Sequence, residues 1–217
     1  MKALQFSLLF TTFLLIHSLQ AQYTIGFRSG YINSWEDYGE DVNLPDDAKT
    51  HVNGFHIAGL GYYALDDNFS LGLEPGYAQK GAACYPGSFY FLFDTKFQLN
   101  YIEMPFLIAV HLPIGQKHFQ VHAKAGYGFS YLVSAYRYQK EFGSDEEPSK
   151  EKWDFQDSEL IKRWDNGFYG GLGIDYSFGK NKLFVESSYY HSGRDVFTVS
   201  ESKNRSIYIG LGLMTKV

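Results

Sequence analysis

The chain has 217 residues, with 19 Lys and Arg against 24 Asp and Glu, for a formal net charge of −5. This balance excludes a nucleic-acid surface, which needs a basic face, and the single cysteine, Cys84, excludes an internal disulfide. Aromatic residues make up 18% of the chain and there are 22 Gly, a composition suited to strands, membrane interfaces and crowded barrel interiors.

The N-terminus has the anatomy of a secretory signal peptide. Lys2 gives a positive start, an apolar stretch runs from Ala3 to Ile16, and a short polar region ends at the small residue Ala21. Residues 1–21 are therefore expected to be cleaved, leaving one exported domain over 22–217. The apolar part falls short of the ~20 residues that a spanning helix needs. After removal of Lys2 the net charge becomes −6.

Beyond this point the dominant signal is alternation, the period of half-buried strands. In 23–31, Ile25 and Phe27 share one face, while Thr24, Gly26 and Arg28 share the other. The segment 51–64 has strand composition but an ambiguous face assignment. In 69–80, Leu71, Leu73, Pro75 and Tyr77 oppose Ser70, Gly72, Glu74, Gly76 and Lys80. The segment 96–110 includes the apolar run LNYIEMPFLIAV, interrupted by Glu103 and Pro105. In 121–131, Val121, Ala123, Ala125, Tyr127 and Phe129 oppose His122, Lys124, Gly126 and Gly128. The segments 168–176, 183–191 and 207–213 repeat the pattern, with Asp175 and Glu186 on the glycine-bearing face. No helical pattern is sustained, although 157–163 could form one or two turns.

These eight segments are joined by connections that alternate in length. Loops 36–50, 81–95, 138–163 and 192–205 are long and polar; those at 65–68, 111–116 and 179–182 are short. In an up-and-down meander every second connection lies at the same end, so one rim carries the turns and termini and the other the long loops. The expectation is all-β: a closed antiparallel up-and-down transmembrane β-barrel of eight strands, with short periplasmic turns and long outer loops. Closure pairs the first strand with the last and leaves no edge. Trp35 fits either an aromatic belt or ordinary loop packing.

The charges at strand centres identify the lumen. Arg28, Glu74, Glu103, Lys124, Asp175 and Glu186 share faces with many glycines, as a narrow, filled interior requires. The opposite faces carry the Leu, Ile, Val, Phe and Tyr of a lipid-facing band. Pairing Val110 with Lys117 across the short turn places Glu103 opposite Lys124. Pairing Phe178 with Leu183 places Asp175 opposite Glu186, with Arg28 or Lys124 neutralising the two acids. Pro105 cannot donate to the ladder, so a bulge or a missing bond is expected there.

LGLEPGYAQKGA (71–82), YIEMP (101–105) and GGLGIDYSFGKNKLFVESSYY (170–190) resemble the PorT-like outer-membrane β-barrel family. The resemblance covers essentially the whole chain and implies an eight-stranded barrel in the outer membrane of a Gram-negative bacterium. It implies little biochemistry. Two features depart from the family pattern: Pro75 follows the acid Glu74 instead of preceding it, and the chain ends LMTKV without an aromatic residue.

No constellation of catalytic residues emerges. His51, His191, Ser192 and Asp195 are candidates for the loop rim, but the run His191–Asp195 is too local to define a triad. The acidic residues Glu36, Asp37, Glu40, Asp41, Asp46 and Asp47 lack EF-hand spacing. The glycine-rich stretches lack the Lys-Ser/Thr and helix of a phosphate-binding loop. The expectation is a non-enzymatic protein without metal or cofactor. Its partners are outer-membrane lipid and a surface polysaccharide or protein met through the four long loops, not nucleic acid.

Overall fold

The computed structural model describes residues 23–38, 49–84, 93–115, 118–141, 144–153, 161–198 and 202–217. The expected signal peptide and most of the acidic first loop lie outside them. The strands are β1 (Tyr23–Tyr38), β2 (Lys49–Thr50), β3 (Val52–Ala64), β4 (Phe69–Leu73), β5 (Gly76–Cys84), β6 (Phe93–Pro113), β7 (Phe119–Glu141), β8 (Ser149–Trp153), β9 (Trp164–Phe178), β10 (Asn181–Asp195) and β11 (Ser202–Lys216). All pairings are antiparallel, and β1 closes on β11 from Thr24↔Lys216 to Tyr38↔Ser202. β4 and β5 form one interrupted stave. β2 extends the outer edge of β5, and β8 folds back on the outer end of β7. The result is a ring of eight staves.

The interruption lies between Leu73 and Gly76, opposite Pro105. Leu73↔Phe106 and Gly76↔Glu103 keep one register across the gap, so nothing is inserted. Glu74 N–H donates to the Pro105 carbonyl at 3.2 Å. Pro105 has no N–H to return the bond, and Pro75 lacks one as well. The ladder is therefore missing bonds here instead of bulging. The irregularity in the β6–β7 ladder lies further out: Asn100 pairs Ser134 but Tyr101 pairs Leu132, leaving Val133 as the extra residue.

Strands run further than the alternation alone indicated. β6 continues through His111 to Pro113, with His111↔His122, so Val110 meets Ala123 and not Lys117. The β9–β10 turn is just Gly179 and Lys180, so Phe178 meets Asn181. Gly179 has φ of +63°, a left-handed conformation that glycine adopts without steric cost. At the outer rim, β1, β5, β7 and β10 enter the expected loops 36–50, 81–95, 138–163 and 192–205, and β6 and β11 begin inside the second and fourth. β8 occupies part of the third. Among the described residues of 157–163, Ile161 forms a bridge to Phe197 instead of a helical turn.

The outward face is apolar through the middle. Phe27, Ile57, Phe106, Ile108, Phe168, Leu172, Ile174, Val185, Ile209 and Leu211 are all at least half exposed. Aromatic pairs flank this band at both ends, as amphipathic rings do at membrane interfaces. Tyr23 meets Tyr63 and Phe119 meets Tyr176 near the turns; Tyr131 meets Trp164 near the long loops. Trp35 belongs to the outer tier, with Tyr189 at 6.3 Å and His51 at 5.0 Å between ring centroids. The face of β3 is now assigned: Val52, His56, Ala58 and Leu60 point inward.

Candidate functional site: the barrel interior

Period-two alternation brings the even-numbered residues of β1, β3, β10 and β11 into the lumen, together with the odd-numbered residues of β9. The six charged residues singled out from the sequence are all buried there: Arg28, Glu74, Glu103, Lys124, Asp175 and Glu186. Glycines leave room for them. A Cβ on Gly173 would lie 2.3 Å from the His122 ring, one on Gly72 would lie 2.4 Å from the Tyr62 ring, and one on Gly212 would lie 2.1 Å from Phe184. Crowded polar side chains and bare backbone thus share one face for steric reasons.

Five of the six form a cluster toward the turn end. Lys124 Nζ donates to Glu74 at 2.7 and 2.9 Å and lies 2.8 Å from Glu186 Oε2. Arg28 bridges the same two acids, reaching Glu74 Oε2 at 3.0 Å and pairing directly with Glu186. Tyr62 donates its hydroxyl to Glu74. His122 links the next acid: its Nε2 is 3.0 Å from Glu186 and its Nδ1 is 2.6 Å from Asp175. Lys182 Nζ at 3.0 Å and His111 Nδ1 at 3.5 Å complete the surroundings of Asp175. Buried carboxylates persist only when ion pairs and hydrogen bonds offset desolvation, and here each has several partners.

Glu103 stands apart. Across β7 it faces Ser130, whereas Lys124 faces Ala109. The expected Glu103–Lys124 pair is therefore absent. Its basis was a turn placed three residues too early, at 111–116 instead of between Pro113 and Gln120, which shifted the register. Glu103 instead lies 2.5 Å from Lys80 Nζ, and its two oxygens share the Tyr208 hydroxyl proton, each at 3.2 Å. Lys80 is fully buried, 3.5 Å above the Tyr190 ring. Asp175 and Glu186 do not face each other either: Asp175 opposes Phe184 and Glu186 opposes Gly173. His122 spans the gap between them.

Sequence reasoning left Lys80, His111, His122, Tyr62, Lys182 and Tyr208 out of this set. The signal for Lys80 and His122 was present, since both fall on the glycine-bearing face. His111 and Lys182 were hidden because they fell in segments read as turns.

Above the ions, Tyr169 and Tyr190 pack with ring centroids 4.6 Å apart, among Ile32, Ala78, Leu107 and Tyr208. Beyond them Leu99, Tyr101, Leu132, Ala135, Ile161 and Val196 form an apolar cap against Phe197, each no more than 5% exposed. At the turn end a cavity of about 260 Å³ is lined by Ser70, Glu74, His111, Gln120, His122 and Lys182, with Asp66 and Asp67 of the β3–β4 turn at its mouth. The lumen is thus open toward the turns and filled toward the long loops.

The sites considered for catalysis do not converge. His191 is exposed on the outward face, while Ser192 points inward and donates its hydroxyl to Asp165 at 2.5 Å. Asp195 lies 3.7 Å from Lys162. His51 lies 2.7 Å from Asn33 Oδ1. Glu36 and Asp37 belong to β1 instead of an acidic loop: Glu36 points into the lumen and Asp37 pairs with Arg205 at 2.9 Å. Among the described residues, no group of three or more His, Cys, Asp or Glu is arranged to hold a metal ion.

Residues 5–198 match the family described as outer membrane protein beta-barrel domain. The chain belongs to that family. It is an outer-membrane β-barrel, and the two rims acquire sides: turns and termini in the periplasm, long loops outside. Similar solved structures include neisserial surface protein A, at 13% identity over 91% of this chain and 99% of that one, with a TM-score of 0.48. Ail, the attachment invasion locus protein of Yersinia pestis, is 16% identical over 88% of this chain and 97% of its own, with a TM-score of 0.44. The N-terminal barrel domain of Pseudomonas aeruginosa OprF is 14% identical over 91% and 100%, with a TM-score of 0.39. No curated protein matches the sequence.

Proposed function

We propose that this barrel is a closed, non-enzymatic surface protein whose specificity resides in its outer loops, where it meets a polysaccharide or protein partner. The observation that carries this reading is the filled outer half of the lumen, from the Lys80–Glu103 pair through the tyrosine stack to the apolar cap. A pathway through it would need water to replace side chains that are almost completely buried. The long strands support the same reading. β7 has 23 residues; at ~3.4 Å per residue and ~45° tilt it stands about 55 Å tall, roughly twice the ~25 Å apolar band. Much of its length is therefore available outside the membrane as a platform for loops. The six interior charges serve this architecture as a structural network, the chain is exported with cleavage of 1–21, and its likeness to the PorT-like barrels is supported by the motifs in 71–82, 101–105 and 170–190.

Planar-bilayer recording tests the proposal. Purified protein is expected to give no stable conductance steps, and sustained open channels would contradict a closed lumen. A second reading, a small transport or secretion-accessory component, draws on the cavity at the periplasmic end, which would admit a small solute as far as Glu186 and His122. Release of an encapsulated solute from proteoliposomes would favour that reading.

A further inference from the structure

The outward face changes character along β6, β7 and β8. Through the membrane it is apolar, ending on β6 with Phe106, Met104 and Ile102, each more than 40% exposed. Next outward is a neutral polar ladder. Asn100 donates to Ser134 at 2.8 Å, Gln98 donates to Asn100 at 3.2 Å, and the Tyr138 hydroxyl donates to Gln98 at 3.3 Å. Above that, register sets Lys96, Tyr138 and Lys150 side by side across three strands, and Gln98, Tyr136 and Lys152 in the row below. Side chains directly opposed in a ladder share a face, so three ammonium groups and two phenol rings lie on one sheet surface that continues the lipid-facing band.

Lys96 and Lys150 lie against tyrosine rings. Lys150 Nζ lies 4.5 Å from the Tyr136 ring centroid and 5.4 Å from that of Tyr138, and Lys96 Nζ lies 5.6 Å from Tyr138. Among the residues whose side chains are described, no acid is within ion-pair distance of Lys96, Lys150 or Lys152. Of the hairpin's other cations, Lys140 stands one row further out, opposite Asp94 of β6, and Arg137 alternates to the opposite face and pairs with Glu151 at 2.5 Å. Asp145, Glu146 and Glu147 lie between β7 and β8, at the far tip of the hairpin. With neighbouring strands ~4.8 Å apart, Lys96 and Lys150 are about 10 Å apart at the backbone, a span that one phosphate group can bridge through flexible side chains.

We propose that the row Lys96–Tyr138–Lys150, with Lys152 and Tyr136, binds the phosphorylated saccharide headgroup of a glycolipid in the outer leaflet. Three features fit that ligand. The row stands on the outside of the barrel wall, directly above the acyl-chain surface, so a lipid already packed against Ile102 and Met104 can reach it. The height is right for sugar phosphates: Lys96 is six residues beyond Ile102, about 20 Å along the strand and about 14 Å vertically at ~45° tilt, above the level of glycerol phosphates. The chemistry also fits, since ammonium groups recognise phosphate and the half-buried tyrosine rings beside them offer apolar surface to sugar rings.

The test uses the full mature chain, folded in detergent and titrated with purified rough lipopolysaccharide, with binding read by native mass spectrometry. Three probes are compared: the intact glycolipid, the same lipid chemically dephosphorylated, and the soluble phosphorylated core saccharide without acyl chains. Wild type is expected to bind the intact lipid at least tenfold more tightly than either other probe. The triple variant Lys96→Gln, Lys150→Gln, Lys152→Gln is expected to bind the intact lipid no better than the dephosphorylated one. Lys180→Gln, in a periplasmic turn, is expected to stay within twofold of wild type. Heat-modifiable migration on gels verifies folding of each variant. Should the triple variant fold poorly, Lys150→Gln alone is expected to weaken binding about threefold. Wild-type affinity in the folded lysine variants, or equal affinity for dephosphorylated lipid, would overturn the proposal. Soluble saccharide binding as tightly as the lipid would overturn the lipid assignment.

Discussion

The two halves of the lumen are filled by opposite means. Toward the periplasm, Arg28, Lys124, His122 and Lys182 hold Glu74, Glu186 and Asp175 in a mesh of ions beside an open cavity. Toward the outside, Leu99, Tyr101, Leu132 and Val196 close the barrel mainly with apolar packing, and the buried Asp165 is held by hydrogen bonds from Ser192 and Asn204 instead of by cations. A narrow barrel can thus meet two demands with one alternation pattern. Along β7, for example, the inward residues change from His122 and Lys124 to Leu132 and Ala135. The mesh is sensitive to the loss of a single charge, because the remaining partners stay buried. The cap responds in proportion to the volume removed.

Substitutions in each half test that contrast. Lys124→Met removes the cation shared by Glu74 and Glu186 and is expected to destabilise the folded barrel by ~3–5 kcal/mol, read as a lower unfolding midpoint in urea. An unchanged midpoint would show that the ions do not act as a network. Leu132→Ala in the cap is expected to cost ~2–4 kcal/mol by leaving a void, with no change in the lower cluster. Combining Lys124→Met with Leu132→Ala is expected to give the sum within ~0.5 kcal/mol, since well-separated sites add; a larger departure would mean that the halves are coupled. Gln98→Ala, on the outer polar ladder, is expected to cost no more than ~1 kcal/mol, the net worth of a solvent-accessible hydrogen bond.

Much of this architecture was legible in the sequence, because period-two alternation and the lopsided connections carry the barrel directly. The inward placement of Glu74 or Asp175 needs only parity. Register was harder. His111 and Lys182 look like turn residues beside Pro113 and Gly179, and only the folded ladder shows them facing Asp175. A misplaced turn end moved every pairing in its hairpin, so Glu103 was matched with Lys124 although both faces were correctly assigned. The partners Lys80 and Tyr208 come from strands distant in sequence, and no local pattern links them to Glu103. The row formed by Lys96, Tyr138 and Lys150 was hidden for a similar reason. It depends on the bulge at Val133 and on β8 folding back over a stretch read as loop.

The proposed lumen is open to the periplasm and sealed from the outside. Cysteine accessibility tests it most directly, in a Cys84→Ala background with folded protein in proteoliposomes of known orientation. A small membrane-impermeant thiol reagent is expected to label Ser70→Cys, in the cavity wall, from the periplasmic side only. Ala135→Cys, within the cap, is expected to stay unlabelled from either side until the barrel is unfolded. Rapid labelling of Ala135→Cys in the folded barrel, or of Ser70→Cys from the loop side, would contradict a lumen sealed at its outer end.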